Sequence, residues 1–187
     1  MLQSLMGGLF RPRPAKLAGR ALFKQAAARA RQPALYEAGG APDTVEGRFE
    51  LYALHVDLVI FRLKGQGAEA QEVSQALFDT FLNNLDEGLR DMGVGDLSVG
   101  KKMRKLAEAI YGRMKGYDQA LQALPDETPL KALVGRTIFS NAQAPAAGPL
   151  CAYAIAVMAG LNALPLRDVI DGRIDWPDFS AVAEGKA

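Results

Sequence analysis

The chain has almost none of the residues that do chemistry in small enzymes. Its 187 residues include one cysteine, Cys151, one histidine, His55, and one tryptophan, Trp176. A single cysteine forbids an intrachain disulfide and suits a reducing compartment. A structural zinc site draws on four Cys or His ligands and a bundle di-iron site on paired Glu-x-x-His motifs, so this chain can assemble neither. Serine and cysteine triads need an imidazole, which only His55 could supply. Cys151 stands in "CAYAIAVMAG", an Ala-rich run that reads as buried helix, where a thiol packs as a small apolar group.

Charge is missing in two places. Residues 1–36 carry Arg11, Arg13, Lys16, Arg20, Lys24, Arg29 and Arg31 with no acid, and the 15 basic and 21 acidic residues that follow leave the remainder at −6. A basic arm therefore precedes a mildly acidic body. Such arms meet nucleic acid, anionic headgroups or an import receptor, or are solvated termini. The opening "MLQSLMGGLF" is too short and too glycine-broken for a signal-peptide core. Continued by "RPRPAKLAGRALFKQAAARARQ", it fits a mitochondrial presequence or a membrane-surface helix. The second gap lies between Arg136 and Arg167, where no charged side chain occurs. Within it "PLCAYAIAVMAGLNAL" runs 16 residues, short of the ~20 that span a bilayer. It reads as a buried helix whose small residues let neighbours approach closely.

What the sequence has in abundance is helical periodicity. "GRFELYALHVDLVIFRLKGQG" places Phe49, Tyr52, Val56, Val59 and Leu63 on one face, with Leu51, Leu54, Leu58 and Phe61 beside them. So wide an apolar surface predicts a helix enclosed by several others, with His55 as a satisfied core or groove-edge histidine. Gly65 and Gly67 close that segment. Next, Val73, Leu77, Phe81, Leu85 and Leu89 recur at i+4 steps with acids opposite, an amphipathic helix. A further helix carries Met103, Leu106, Ile110, Met114, Tyr117 and Leu121 inward and Lys101, Lys102, Arg104, Lys105, Arg113 and Lys115 outward. After it come a short helix following Pro129, a loop around Pro145 and Pro149, and "PLRDVIDGRIDWPDF", whose Trp176 and Phe179 are expected to tuck onto the bundle. No long period-2 run occurs.

Between the second and third of these helices lies "GVGDLSVGKK", residues 93–102. From Gly95 it matches a phosphate-binding P-loop up to its last position, where Lys102 replaces the Ser or Thr that ligates magnesium. A P-loop also springs from a buried strand, and the residues before Gly93 read as helix. Gly93 reads instead as the C′ glycine of the preceding helix, and Asp96 or Ser98 as the N-cap of the next. The start of that helix, beside Lys101, Lys102 and Arg104, could receive an anionic partner or simply be a solvated face.

In this region the chain resembles the ubiquinol–cytochrome c chaperone family. The likeness is carried by "ALFDTFLNNLDEGLRDMGVGDLSVGKKMRKLAEAIYGRMKGYDQAL", residues 76–121, and extends over about residues 24–140. It implies an all-helical binding protein with no catalytic motif that assists assembly of cytochrome b into the bc1 complex. The matching positions are Gly93, Gly95, Asp96, Lys101, Met103, Tyr111, Gly112, Arg113 and Tyr117. Gly93, Gly95, Asp96 and Met103 are expected to fix the turn and helix packing, and Tyr111 and Gly112 to allow close helix approach. Lys101, Lys102, Arg104, Arg113 and Tyr117 are the expected partner contacts.

The expectation is an all-α single domain of about six or seven helices: a basic, partly mobile arm or helix at 1–23, a helical body at 24–180 and a tail at 181–187. It needs no cofactor, haem and metal included. Its client is cytochrome b or another bc1 subunit, with a small helper protein, the ribosome or an anionic membrane surface as further partners, and no DNA. The expected location is the bacterial cytoplasm beside the inner membrane, or the mitochondrial matrix or inner membrane. The alternatives are an RNA- or ribosome-binding helical adaptor and a nucleotide-binding protein using residues 95–102.

Overall fold

A computed structural model describes residues 14–185. Nine helices follow one another among these residues: α1 (Pro14–Ala30), α2 (Pro33–Glu37), α3 (Val45–Leu63), α4 (Ala68–Asp91), α5 (Asp96–Gln122), α6 (Thr128–Ile138), α7 (Ala147–Ala163), α8 (Leu166–Ile170) and α9 (Phe179–Ala183). Six have eleven residues or more and three are single turns of five. No described helix is long and apolar enough to cross a membrane.

Local signals set the helix ends. Thr44 caps α3, its side chain accepting the Gly47 N–H at 3.1 Å, an arrangement worth about 1 kcal/mol. Between α3 and α4 the chain turns through Gly65 and Gly67 with φ of 73° and 97°. At the end of α4, Gly93 (φ 80°) donates to the Arg90 carbonyl and Val94 to that of Leu89. That paired bonding is the Schellman ending expected of a C′ glycine. Because a helix runs into Gly93, the strand a P-loop requires is absent there. Helix α5 begins at Asp96 with Gly95 in the cap position and no side-chain cap bond. Ser98 therefore lies inside the first turn, and neither expected N-cap residue holds the cap position.

Helix α3 is the centre of the bundle. Leu51, Leu54, Val56, Leu58 and Val59 are fully buried, and α3 packs against α1, α4, α5, α6 and α7. Each fully buried aliphatic side chain contributes about 1.5–3 kcal/mol. The uncharged α7 packs Tyr153, Ala154 and Val157 inward, and its end is tied to α3 by Arg62, whose Nε donates to the Leu161 carbonyl at 2.9 Å.

The N-terminal basic segment joins this body from residue 14 onward. Helix α1 continues through the expected 23/24 boundary, burying Gly19, Leu22, Phe23 and Ala26. A Cβ at Gly19 would stand 2.6 Å from the backbone of Ala76 and Leu77, so only glycine lets α1 lie this close to α4. The Phe23 and Phe81 rings extend the contact at 6.2 Å. Gln25 then bonds the Gly172 carbonyl and accepts from the Trp176 indole at 3.3 Å. Trp176 and Phe179 are buried as expected, the latter edge-on to Tyr153 at 5.6 Å. Helix α9 crosses the expected 180/181 boundary; residues 1–13 of the arm lie outside the described residues.

Candidate functional site

Helix α4 presents one apolar stripe, but the fold uses its two halves differently. Val73, Leu77 and Phe81 are buried in the core. One and two turns further on, Leu85 and Leu89 are only half-buried. With Phe49 and Tyr52 of α3 and Leu106 of α5 they line an open groove of about 730 Å³. Val45 and Met92 also line it, 61% and 57% exposed, so these side chains and the groove form one contiguous apolar patch. Arg48, Lys102 and Lys105 border the groove with Glu46. Arg48 is held by Asp43 at 2.5 Å, which leaves the two lysines as the positive charge at the α5 edge.

The expected partner contacts separate. Lys101, Lys102 and Arg104 are exposed, and of these Lys102 lies on the groove. Arg113 instead turns into the α3–α5 interface and grips Glu50 with two hydrogen bonds, Nε to Oε2 at 2.5 Å and Nη2 to Oε1. Burial draws the Glu50 carboxyl upward in pKa, opposed by the guanidinium. The guanidinium, 5.4 Å from the Phe49 ring, is held more firmly charged by Glu50. Tyr117, placed inward by its period but expected from the resemblance to contact a partner, is enclosed at 1% exposure. Its hydroxyl meets Thr137 Oγ1 at 3.2 Å, and burial pushes its pKa far above the ordinary phenol value. It follows the inward face of α5, one turn from Met114, so the packing period overrides the polar tip.

The structural motif residues also divide. Gly93 makes the turn, Gly95 and Asp96 sit at the start of α5, and Met103 is half-buried. Close helix approach at Tyr111 and Gly112 is not found. Tyr111 is 59% exposed, with its ring edge-tilted to Phe78 at 5.4 Å, and a Cβ at Gly112 would meet nothing within 4 Å. The close contact on α5 falls at Gly116, where a Cβ would stand 3.2 Å from Leu133.

His55 is fully buried. Its Nδ1–H donates to the Leu51 carbonyl at 2.7 Å, and Nε2 accepts from the Tyr153 hydroxyl at 3.0 Å. Desolvation lowers its pKa to about 4, so it is neutral at pH 7 with both nitrogens engaged. Neither nitrogen is free to ligate a metal or take a proton from a substrate. Burial raises the Cys151 thiol to about 11, which holds it in the unreactive protonated form. Among the described residues no group of three or more His, Cys, Asp or Glu is placed to hold a metal ion.

Of the apolar groove residues, Val45 was not singled out by the sequence, and Leu85 and Leu89 stood there only as members of the i+4 stripe. The i+4 stripe was visible, but nothing in it distinguished the half that lacks a covering helix.

Comparison with known proteins matches this helical arrangement to a named group. The crystal structure of the Cbp3 homolog from Brucella abortus superposes with a TM-score of 0.81 at 30% identity, covering 96% of this chain and 98% of that one. Ubiquinol-cytochrome-c reductase complex assembly factor 1 of Xenopus laevis is 23% identical over 106 residues, 57% of this chain and 52% of the relative. The mouse protein of that name is 27% identical over 100 residues, 54% of this chain and 33% of the relative. The match thus spans about half of the one curated relative and a third of the other. A family model described as ubiquinol-cytochrome C chaperone matches residues 37–176, from α2 to Trp176. On that match across most of its length, the chain belongs to the ubiquinol–cytochrome c chaperone family.

Proposed function

We propose that the protein is a non-catalytic assembly chaperone of the ubiquinol–cytochrome c reductase (bc1) complex. Its groove between α3, α4 and α5 shelters an apolar segment of newly made cytochrome b, or of another early bc1 subunit. The observation that carries this reading is the groove itself: half of an otherwise core-forming stripe, Leu85 and Leu89, faces an open apolar cleft beside Lys102 and Lys105. An incoming helix would bury its apolar face there, while acidic groups at its edge meet the lysines. Family membership and the names of the relatives support the same assignment. The protein works beside the membrane into which its client is inserted, in the bacterial cytoplasm or mitochondrial matrix, and a small helper can share the exposed face of α5.

Deleting the gene lowers assembled bc1 complex and cytochrome b haem absorbance while other respiratory complexes persist. Re-expression of Leu89→Glu, a half-buried position whose change leaves the core intact, fails to restore them. Full restoration by that variant removes the groove from the mechanism, and normal cytochrome b in the deletion strain removes the assembly role.

A second reading rests on Lys101, Lys102, Arg104 and Lys105, four exposed cations within five positions of α5. Such a cluster suits a ribosomal RNA surface. Filter retention of RNA that falls steeply with salt supports ribosome docking, and a flat response dismisses it.

A further inference from the structure

A second cleft, of about 340 Å³, opens between α3 and α5 away from the groove. Helix α3 contributes Asp57, Ile60 and Phe61, and α5 contributes Tyr111 and Met114. The ion pair of Lys64 with Asp118, 2.6 Å apart, sits in the same wall. The lining is otherwise largely apolar, which makes Asp57 conspicuous. It is 4% exposed, and neither of its carboxyl oxygens has a hydrogen-bond partner.

The same helix shows what such a carboxylate ordinarily receives. Glu50 and Asp57 are seven residues apart, two turns of α3 on one face. Glu50 is met by both arms of the Arg113 guanidinium; Asp57 is met by nothing. Burial without a partner drives the Asp57 pKa well upward, with Arg113 opposing and Glu50 adding. The charges facing it pair off, Glu50 with Arg113 and Asp118 with Lys64, and leave Lys115 over in the cleft wall.

We propose that this cleft is a binding site for an alkyl cation, an ammonium or guanidinium on an apolar stem, with Asp57 as its counter-ion. The stem lies against Ile60 and Met114, the Phe61 and Tyr111 rings flank the charge, and the two unused oxygens, releasing the Asp57 proton to solvent as the cation enters, accept its N–H groups. A neutral donor such as an alcohol gains at most one such bond and no attraction to the rings, and a carboxylate brings no positive charge to hold Asp57 ionised. The proposal is independent of the assembly role, since the site is complete within the isolated protein.

The test is a titration of methyl-labelled full-length protein, followed through the Ile60 and Met114 methyl signals, with n-butylguanidinium, n-butylammonium, n-butanol and n-butyrate. The two cations are expected to bind saturably, at least tenfold more tightly than butanol, with butyrate inert. Asp57→Asn, isosteric with the protonated acid, is expected to erase the preference for cations while leaving butanol unchanged. Tyr111→Leu, at an exposed position that does not endanger folding, is expected to weaken the cations alone. A blocked Ala-Arg-Ala peptide distinguishes the sources: its binding assigns the cleft to a side chain of a partner polypeptide, and its exclusion with butylguanidinium retained assigns it to a small free amine. Equal binding of all four probes, binding of none, or cation affinity unchanged in Asp57→Asn overturns the proposal.

Discussion

The Tyr153 hydroxyl donates to Nε2 of His55 across the α3–α7 interface, at 3.0 Å. This bond exists only while the imidazole is neutral, because a protonated ring has no lone pair to accept it. With a folded pKa of about 4 against ~6.5 in the unfolded chain, the unfolded state binds the extra proton between those values. Stability at the His55 site is therefore complete above about pH 6.5 and is lost as pH falls toward 4, by about 3 kcal/mol in all. Urea unfolding from pH 7 to pH 4 is expected to show this loss as the difference between the parent and His55→Gln, because Asp57 titrates in the opposite sense over the same range.

Asp57 has the opposite sign. Its folded pKa is raised, so the folded state holds a proton that the unfolded chain releases above about pH 4. The carboxyl therefore costs stability progressively as pH rises from there. Asp57→Asn is expected to be more stable than the parent at pH 7, with the difference closing toward pH 4. A constant difference across that range argues that Asp57 ionises freely in the fold.

Two glycine-to-alanine changes are expected to diverge. At Gly112, inside α5 and facing open space, alanine stabilises by up to about 1 kcal/mol through helix propensity. At Gly19 the same gain is outweighed, because the new methyl meets the Ala76–Leu77 backbone. Overpacking of about 1–3 kcal/mol is expected, at the upper end because backbone cannot rotate aside. Thermal unfolding of the two variants decides this.

The Glu50–Arg113 pair predicts strong non-additivity. Arg113→Met leaves Glu50, whose side chain is 8% exposed, without its partner and is expected to cost about 2–4 kcal/mol. Adding Glu50→Gln should recover at least half of that, since the stranded charge is gone. Additive losses in the double-mutant cycle would show that the two side chains are not coupled.

Within the lysine cluster, position along the groove should matter more than charge alone. Lys102 and Lys105 border it and Lys101 and Arg104 do not. Charge reversal of the first pair is expected to slow client capture at low salt several-fold more than reversal of the second. Equal effects would point to a diffuse surface field instead.

Much of this architecture was legible in one dimension. The i+4 stripe of Val73 to Leu89, the wide apolar surface around Leu54 and the glycine at 93 each carry a local physical signature, and the helices and the Schellman turn follow from them. The histidine and cysteine were readable as core residues because their neighbours are apolar on every side. Periodicity also placed Tyr117 inward, and its burial follows that phase although the family resemblance had made it an expected partner contact. Gly112 was misleading for a related reason: glycine in a helix signals a possible close approach but does not name the helix that approaches. On α5 the close neighbour, Leu133, meets Gly116 one turn further on.

The sequence by itself determined the helical class, the helix ends set by glycine and proline, and the scarcity of groups able to do covalent or metal chemistry. These are properties of the chain over a few residues, where backbone sterics and side-chain spacing act directly. Tertiary structure alone decided that α1 locks onto α4 at Gly19, that Leu85 and Leu89 face a groove while Val73 and Leu77 face the core, and that Glu50 receives an arginine where Asp57 receives none. Spacing fixes the direction in which a side chain leaves its helix; what stands opposite depends on the crossing of distant helices, which no local pattern encodes.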